Sequence, residues 1–259
     1  MRFATWNVNS LKARLPRVEE FLGYADVDVL CLQETKLSDK SFPALTFRGL
    51  GYDSVHHGQG QWNGVAILSR IGIDRVEFGC GDGFADPYEG DARILGATAG
   101  GVRFVTVYVP NGRAVGTEFY DRKLQWLAMV REWLDKCHAP DEPLVVLGDF
   151  NVAPEDRDVW DPKAFAGSTH VTPAEREAVV ELTRWGLDDV FRRMYPAADR
   201  LFTYWDYRAG DFHQHRGMRI DLVLATKPVA DRVVFAVVDR NARKGTQPSD
   251  HAPVIVDIV

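Results

Sequence analysis

Short apolar runs bounded by polar or turn-forming residues recur along the chain: Phe3–Val8, Val27–Gln33, Gly64–Ser69, Val102–Val109, Leu144–Leu147, Ile220–Ala225, Val233–Val238 and Val254–Ile258. Runs of this length bounded by turn signals predict buried β-strands. Between them the apolar spacing becomes helical. One helix is expected from Ser10, as its cap, through Glu20, and another from Thr117 to about Lys136, with Tyr120, Leu124, Leu127, Val130 and Leu134 on one face. A third has the clearest start: Thr172-Pro173-Ala174-Glu175 joins a capping box to a proline at the first helical position, and the pattern runs to Trp185 before Gly186. Strands outnumber helices and come partly in consecutive pairs. The expected fold class is therefore α/β without simple alternation, with two sheets packed together and helices outside. No Pro/Gly/Ser-rich linker, charge block or repeat interrupts the chain, so residues 1–259 are expected to form one domain.

Composition narrows the classes. With 259 residues, 46% hydrophobic and 26% charged, the chain can bury a sizeable core. No apolar stretch approaches the roughly 20 residues that span a bilayer, and Met1–Trp6 leads straight into a strand pattern, so a soluble, cytoplasmic protein is expected. Cys31, Cys80 and Cys137 lack metal or disulfide-framework spacing and are expected as core or surface thiols. A net charge of -6 argues against a protein that coats nucleic acid by bulk electrostatics, though not against an enzyme that acts on it. Arg192, Arg193, Arg208, Arg216 and Arg219 are candidates for a local phosphate-binding rim.

Polar residues collect where the strand runs stop: Asn7 and Asn9, Gln33 and Glu34, Tyr108 and Asn111, Asp149 and Asn151, Asp221, and Asp250 with His251. Taken singly, Gly148-Asp149 and Ser249-Asp250 are also turn signals. Taken together, clustered carboxylates are costly unless a positive charge sits among them. An oxygen-rich set without a histidine or cysteine cage suits Mg²⁺ or Mn²⁺ and disfavours structural Zn²⁺.

Six segments in order resemble the motifs of exonuclease III and its abasic-site endonuclease relatives, within the endonuclease/exonuclease/phosphatase superfamily. They are Thr5-Trp6-Asn7-Val8-Asn9, Leu32-Gln33-Glu34-Thr35-Lys36, Tyr108-Val109-Pro110-Asn111-Gly112, Gly148-Asp149-Phe150-Asn151, Arg219-Ile220-Asp221 and Ser249-Asp250-His251-Ala252-Pro253. The resemblance covers nearly the whole chain, and Trp205-Asp206-Tyr207 favours the DNA-repair branch over the phosphodiesterases that share some elements. It implies a four-layered, deoxyribonuclease I-like α/β sandwich and Mg²⁺-dependent hydrolysis of DNA phosphodiesters, with Mn²⁺ as a substitute. The implied activities are 3′-to-5′ exonuclease, abasic-site endonuclease and 3′-phosphatase, on double-stranded DNA carrying abasic sites, nicks or blocked 3′ ends. The resemblance further implies Glu34 as the principal metal ligand with Asn7 and Asp250 adjoining it, and Asp149, oriented by Asn151, as the group that activates or positions water. His251, held by Asp221, would bind the scissile phosphate, with Tyr108 on the same phosphate and Asn111 and Lys123 near it. A monomer is the default expectation. The competing readings are a phosphodiesterase for a small phosphorylated substrate and a catalytically silent nucleic-acid binder; no metal or water-positioning residue is missing, against the latter.

Some positions depart from the pattern. Phe202, Tyr204, Trp205 and Met218 fall where relatives line a pocket for a flipped-out abasic sugar, with Tyr204 in place of the expected tryptophan or phenylalanine. His170, just before the capped helix, is expected to approach the DNA, where a bulky side chain hinders an abasic sugar while leaving a 3′ terminus accessible. The stretch Gly58–Gly64 carries Gln59, Gly60 and Gln61 and lacks a lysine that relatives often have there.

Overall fold

A computed structural model describes residues 1–259 and turns the apolar runs into the central strands of two six-stranded sheets. In chain order the strands are β1 (Arg2–Asn7), β2 (Val29–Gln33), β3 (Asp53–His57), β4 (Val65–Ser69), β5 (Asp74–Phe78), β6 (Ile94–Ala99), β7 (Val102–Tyr108), β8 (Leu144–Asp149), β9 (Leu187–Asp189), β10 (Asp221–Thr226), β11 (Val233–Val238) and β12 (Val254–Ile258). The helices are α1 (Leu11–Ala25), α2 (Ala44–Gly49), α3 (Glu118–Cys137), α4 (Pro173–Trp185), α5 (Val190–Met194) and α6 (Lys227–Ala230). None is long and apolar enough to cross a membrane.

The sheets run β11-β12-β1-β2-β4-β3 and β5-β6-β7-β8-β10-β9. Each has a single parallel pair at its centre, β1 with β2 and β7 with β8, flanked on both sides by antiparallel pairs. In a parallel pair both carboxyl ends open on the same side, which is where α/β sheets carry ligand sites. The register sets Asn7 beside Gln33 and Tyr108 beside Asp149. Antiparallel neighbours return to the same edge, so Asp221 pairs with Asp149, and Val254, just after the His251 segment, pairs with Thr5.

Apolar side chains fill three interfaces. Phe3, Cys31 and Ile67 meet Phe104, Leu147 and Val223 between the sheets. Val18 and Phe21 of α1 cover Trp6 and Leu30 of the first sheet, while Trp126, Trp133 and Leu182 of α3 and α4 cover Val105, Val146 and Leu222 of the second. The result is the expected four-layered α/β sandwich.

The structure corrects several local expectations. Ser10 makes no side-chain cap; its φ of 90° lets its backbone N–H reach Glu34 O (2.7 Å) and that of Leu11 reach Thr35 O (2.9 Å), so α1 starts against the loop after β2. The Thr117 hydroxyl bonds Ala114 O instead of capping α3. The Thr172–Glu175 capping box forms as read. The buried face of α3 includes Lys123, Trp126, Met129 and Trp133, while Leu124 is half-buried. Four strands escape the apolar-run reading: β3 and β5 are edge strands with partly exposed patterns, β9 has three residues, and β6 is rich in small residues. In β6 a side chain at Gly96 would collide with the Arg103 guanidinium.

Candidate active site

The carboxyl ends of β1, β2 and β8 bring Asn7, Glu34 and Asp149 together. The Asn7 amide Nδ2 donates to Glu34 Oε1 and to Asp149 Oδ2, both at 2.9 Å. Glu34 sits in the left-handed region (φ 50°), and its Oε2 lies 2.9 Å from Lys36 Nζ. Lys36 also donates to Asn9 Oδ1, and Asn9 Nδ2 donates to Asp250 Oδ1 at 3.1 Å. One hydrogen-bonded chain therefore joins Asp149, Asn7, Glu34, Lys36, Asn9 and Asp250. Burial opposes ionisation of Glu34, but the Lys36 charge and the Asn7 bond hold its carboxyl below the usual range.

Asp149 is 1% exposed. Its Oδ1 accepts from Asn151 N at 2.9 Å, and Asn151, also left-handed at φ 50°, donates Nδ2 to Val109 O. Burial pushes the Asp149 carboxyl up to about 7; the Asp221 and Glu34 charges add to this, against His251 and the Asn151 N–H. His251 Nδ1 lies 2.8 Å from Asp221 Oδ2 and its Nε2 lies 3.8 Å from Asp149 Oδ2. Burial disfavours the imidazolium, yet these two carboxylates and the Asp221 hydrogen bond outweigh it and raise the ring to about 10. Nδ1–H thus donates to Asp221, while 3.8 Å is too long for a hydrogen bond and leaves Nε2–H free to meet an incoming anion. Ser249 Oγ donates to Asn7 O (2.7 Å), and Trp6 Nε1 donates to His251 O (3.0 Å), tying the histidine loop to β1. Tyr108 ends β7 half-buried, with the Arg93 guanidinium 4.9 Å from its ring. Burial, Glu34 and Asp149 push its phenol well above its ordinary pKa, so it remains a donor.

Residues 4–251 match the model of the endonuclease/exonuclease/phosphatase family. The chain belongs to that family. It is 33% identical to exodeoxyribonuclease III of Haemophilus influenzae, over 98% of both chains. Among solved structures it resembles an AP endonuclease from Archaeoglobus fulgidus (TM-score 0.94, 35% identity, 100% of this chain and 99% of that one). It also resembles the 3′ phosphatase NExo from Neisseria bound to product DNA hairpin (TM-score 0.94, 37% identity, 100% and 99%). As a member of this family the protein is a hydrolytic, metal-dependent DNA-repair nuclease.

The structure places several expected residues differently from the sequence reading. Asn7, expected among the metal ligands, accepts from Asn9 N through Oδ1 at 2.9 Å and turns its NH₂ toward the Glu34 and Asp149 carboxylates. Lys123 is neither solvated nor open to a phosphate. Its side chain and that of Glu175 are both 0% exposed and form an ion pair, and Nζ also donates to Asn151 O at 2.7 Å. Asn111 is exposed at the rim and donates Nδ2 to Asn151 Oδ1 at 3.2 Å. Phe202 and Trp205 are fully buried with Ala252, so they underpin the histidine loop and do not line an open pocket. Tyr204 and Met218 do lie at the site: Tyr204 forms antiparallel bridges with Met218 and His251, and its ring is 4.9 Å from the imidazole. Met218 is buried with Val159 and Ile220 behind it. His170 (φ 79°) is half-buried, its Nδ1 2.6 Å from Asn151 O, and burial together with Lys123 lowers its pKa to about 4.

The arginine rim dissolves into ion pairs. Arg219, 1% exposed, bonds Asp158 and Asp189, Arg192 bonds Asp158, Arg193 bonds Asp188 and Asp231, and Arg216 bonds Asp211. Arg208, 87% exposed, pairs with Asp206. Sequence reasoning missed Lys36, Glu175 and Thr203. Thr203 Oγ1 accepts from the Asp221 N–H (3.1 Å). Glu175 was visible only as a helix-cap residue.

The donor set fits a hard cation. Glu34 and Asp250 are partly accessible carboxylates, the oxygen donors such an ion prefers. Ligand atoms of Asp149, Asp221 and His251 also lie within 4.8 Å of one another. His251, raised to about 10 between those two carboxylates, is poorly suited to ligate a metal there.

Proposed function

We propose that the nuclease is a Mg²⁺-dependent enzyme that cleans and trims 3′ ends of duplex DNA and cleaves at abasic sites, with Mn²⁺ able to replace Mg²⁺. The observation that carries this reading is the pairing of a buried carboxylate poised near neutral pH, Asp149, with an imidazolium, His251, whose free N–H faces it.

Glu34 and Asp250 hold the cation, which when bound supplies positive charge to the phosphate oxygens. Asp149, fixed by Asn7 and the Asn151 N–H, accepts a proton from the attacking water; a base with a pKa near 7 is matched to that task. His251 donates Nε2–H to a phosphate oxygen, with Asp221 fixing its other nitrogen. Tyr108 donates its phenol to the same phosphate. Donors aimed at developing charge in a buried site are typically worth on the order of 10²-fold or more each.

Among substrates, 3′-end cleaning ranks above abasic cleavage. His170, Tyr204 and Met218 crowd the surroundings of Asn151 and His251, where a flipped-out sugar needs room. The test is cleavage of three labelled duplexes bearing an internal abasic site, a 3′-phosphate at a nick, or a recessed 3′-hydroxyl, each with Mg²⁺ and with EDTA. Metal-dependent cutting with the 3′-phosphate fastest is expected. Failure to cut any duplex in Mg²⁺ or Mn²⁺ refutes the nuclease reading, and faster abasic cleavage refutes the ranking.

A further inference from the structure

Glu34 owes its position to an unusual loop. Glu34 and Lys36 both adopt left-handed backbone conformations (φ 50° and 52°), which non-glycine residues hold only where the surroundings enforce them. Thr35 between them is fully buried. Its N–H donates to Gly64 O (3.1 Å), its carbonyl accepts from Leu11 N (2.9 Å), and Lys36 N donates to Asn63 O (2.9 Å). The remaining tether is a side-chain bond: Thr35 Oγ1 lies 2.8 Å from His56 Nε2.

The His56 side chain is 4% exposed and stacks on Phe42, with ring centroids 4.3 Å apart at 16°. Its Nδ1 is 2.8 Å from Asp39 Oδ1. That contact lies off hydrogen-bonding geometry and does not fix the tautomer; the Thr35 hydroxyl can donate to Nε2 or accept from it. Burial lowers the His56 pKa to about 4, which keeps the ring neutral. Two glycines leave room for this pair. A Cβ on Gly64 would strike Thr35 Oγ1, and one on Gly58 would strike the His56 ring and Leu37 O. The Gly58–Gly64 stretch, notable in the sequence for a missing lysine, thus packs closely against the loop that carries Glu34.

From this geometry we infer that His56, acting through the Thr35 hydroxyl, is a positioning residue that holds Glu34 in its cation-binding orientation. The inference rests on the proposed cation role of Glu34. Partners one layer behind a metal ligand typically change affinity by about 10–100-fold when removed.

The test measures Mn²⁺ binding to the metal-free protein by electron paramagnetic resonance, alongside thermal melting. Thr35→Val removes the hydroxyl at nearly constant volume, and His56→Phe keeps the stacked ring without its nitrogens. Each is expected to weaken Mn²⁺ binding by about 10–100-fold, whereas Thr35→Ser, which restores the hydroxyl, binds as wild type does. If either variant fails to fold, the other carries the test. A folded Thr35→Val protein with wild-type Mn²⁺ affinity overturns the inference. Glu34→Gln separates the two readings: weakened binding there with none in Thr35→Val defeats only the positioning role. Unchanged binding in Glu34→Gln defeats the ligand assignment and the inference with it.

Discussion

The Lys123–Glu175 pair beneath the site offers the strongest quantitative test of this architecture. Lys123 Nζ bonds Glu175 Oε1, Asn151 O and, at 3.3 Å, Asn111 O. Glu175 also accepts from Thr169 Oγ1 (2.7 Å), His170 N (2.9 Å) and Thr172 Oγ1 (2.7 Å). Glu175→Gln therefore leaves an ammonium buried without its counter-charge, a defect that costs about 3–5 kcal/mol. At roughly 2–4 °C per kcal/mol for a chain of this size, the melting temperature falls by roughly 6–20 °C. Lys123→Met falls at the lower end, because the stranded carboxylate keeps its hydroxyl and backbone donors. The double variant removes both charges and recovers much of the loss, since replacing a whole buried pair is often close to neutral. Activity does not recover with it. Lys123 anchors the carbonyl of Asn151, whose N–H orients Asp149, so the double variant combines near-normal stability with depressed kcat. Calorimetry and single-turnover cleavage on all four proteins provide the double-mutant cycle. Single variants that lose less than about 1 kcal/mol, or a double variant no more stable than the worse single, refute the reasoning. The pH sign is also fixed. Burial opposes ionisation of Glu175, but Lys123 and the surrounding donors hold its pKa below the ordinary 4.5. Its contribution is therefore fully present above about pH 4.5 and is lost as the pH falls through the lowered value.

Three further outcomes are expected. Glu34→Gln should depress metal-dependent turnover far more than DNA binding, measured by cleavage against a gel-shift titration; near-normal turnover at limiting Mg²⁺ contradicts its ligand role. Asp221→Asn removes the largest influence raising the His251 pKa, leaving burial opposed only by the remaining carboxylates, so the alkaline limb of kcat/KM moves to lower pH; an unmoved limb contradicts the imidazolium assignment. His170→Gly opens space beside Asn151 and should raise abasic cleavage relative to 3′-end trimming, and an unchanged ratio removes His170 as a gate.

The central strands were legible in the sequence because both faces of each are buried, and continuous apolar runs are the local signature of that burial. The segments at their ends were legible as well, since motif order along the chain carries the resemblance without any knowledge of pairing. Edge strands such as β5 were not, because a half-solvated strand needs no apolar run. Nor could sequence reveal the fate of individual polar groups. Arg219 reads as a candidate for a phosphate rim until the fold sets it against Asp158, 61 positions away, and Lys123 reads as a lysine near the phosphate until α3 and α4 pack it against Glu175, 52 positions away. Likewise, the orientation of the Asn7 amide follows from the Asn9 N–H and from a carboxylate 142 residues distant. Local sequence determines which segments can be strand or helix, because propensity and burial pattern act over a few residues. The tertiary structure alone decided which charges are sealed, which donors meet which carboxylates and which residues hold them, because those choices depend on partners remote in the chain.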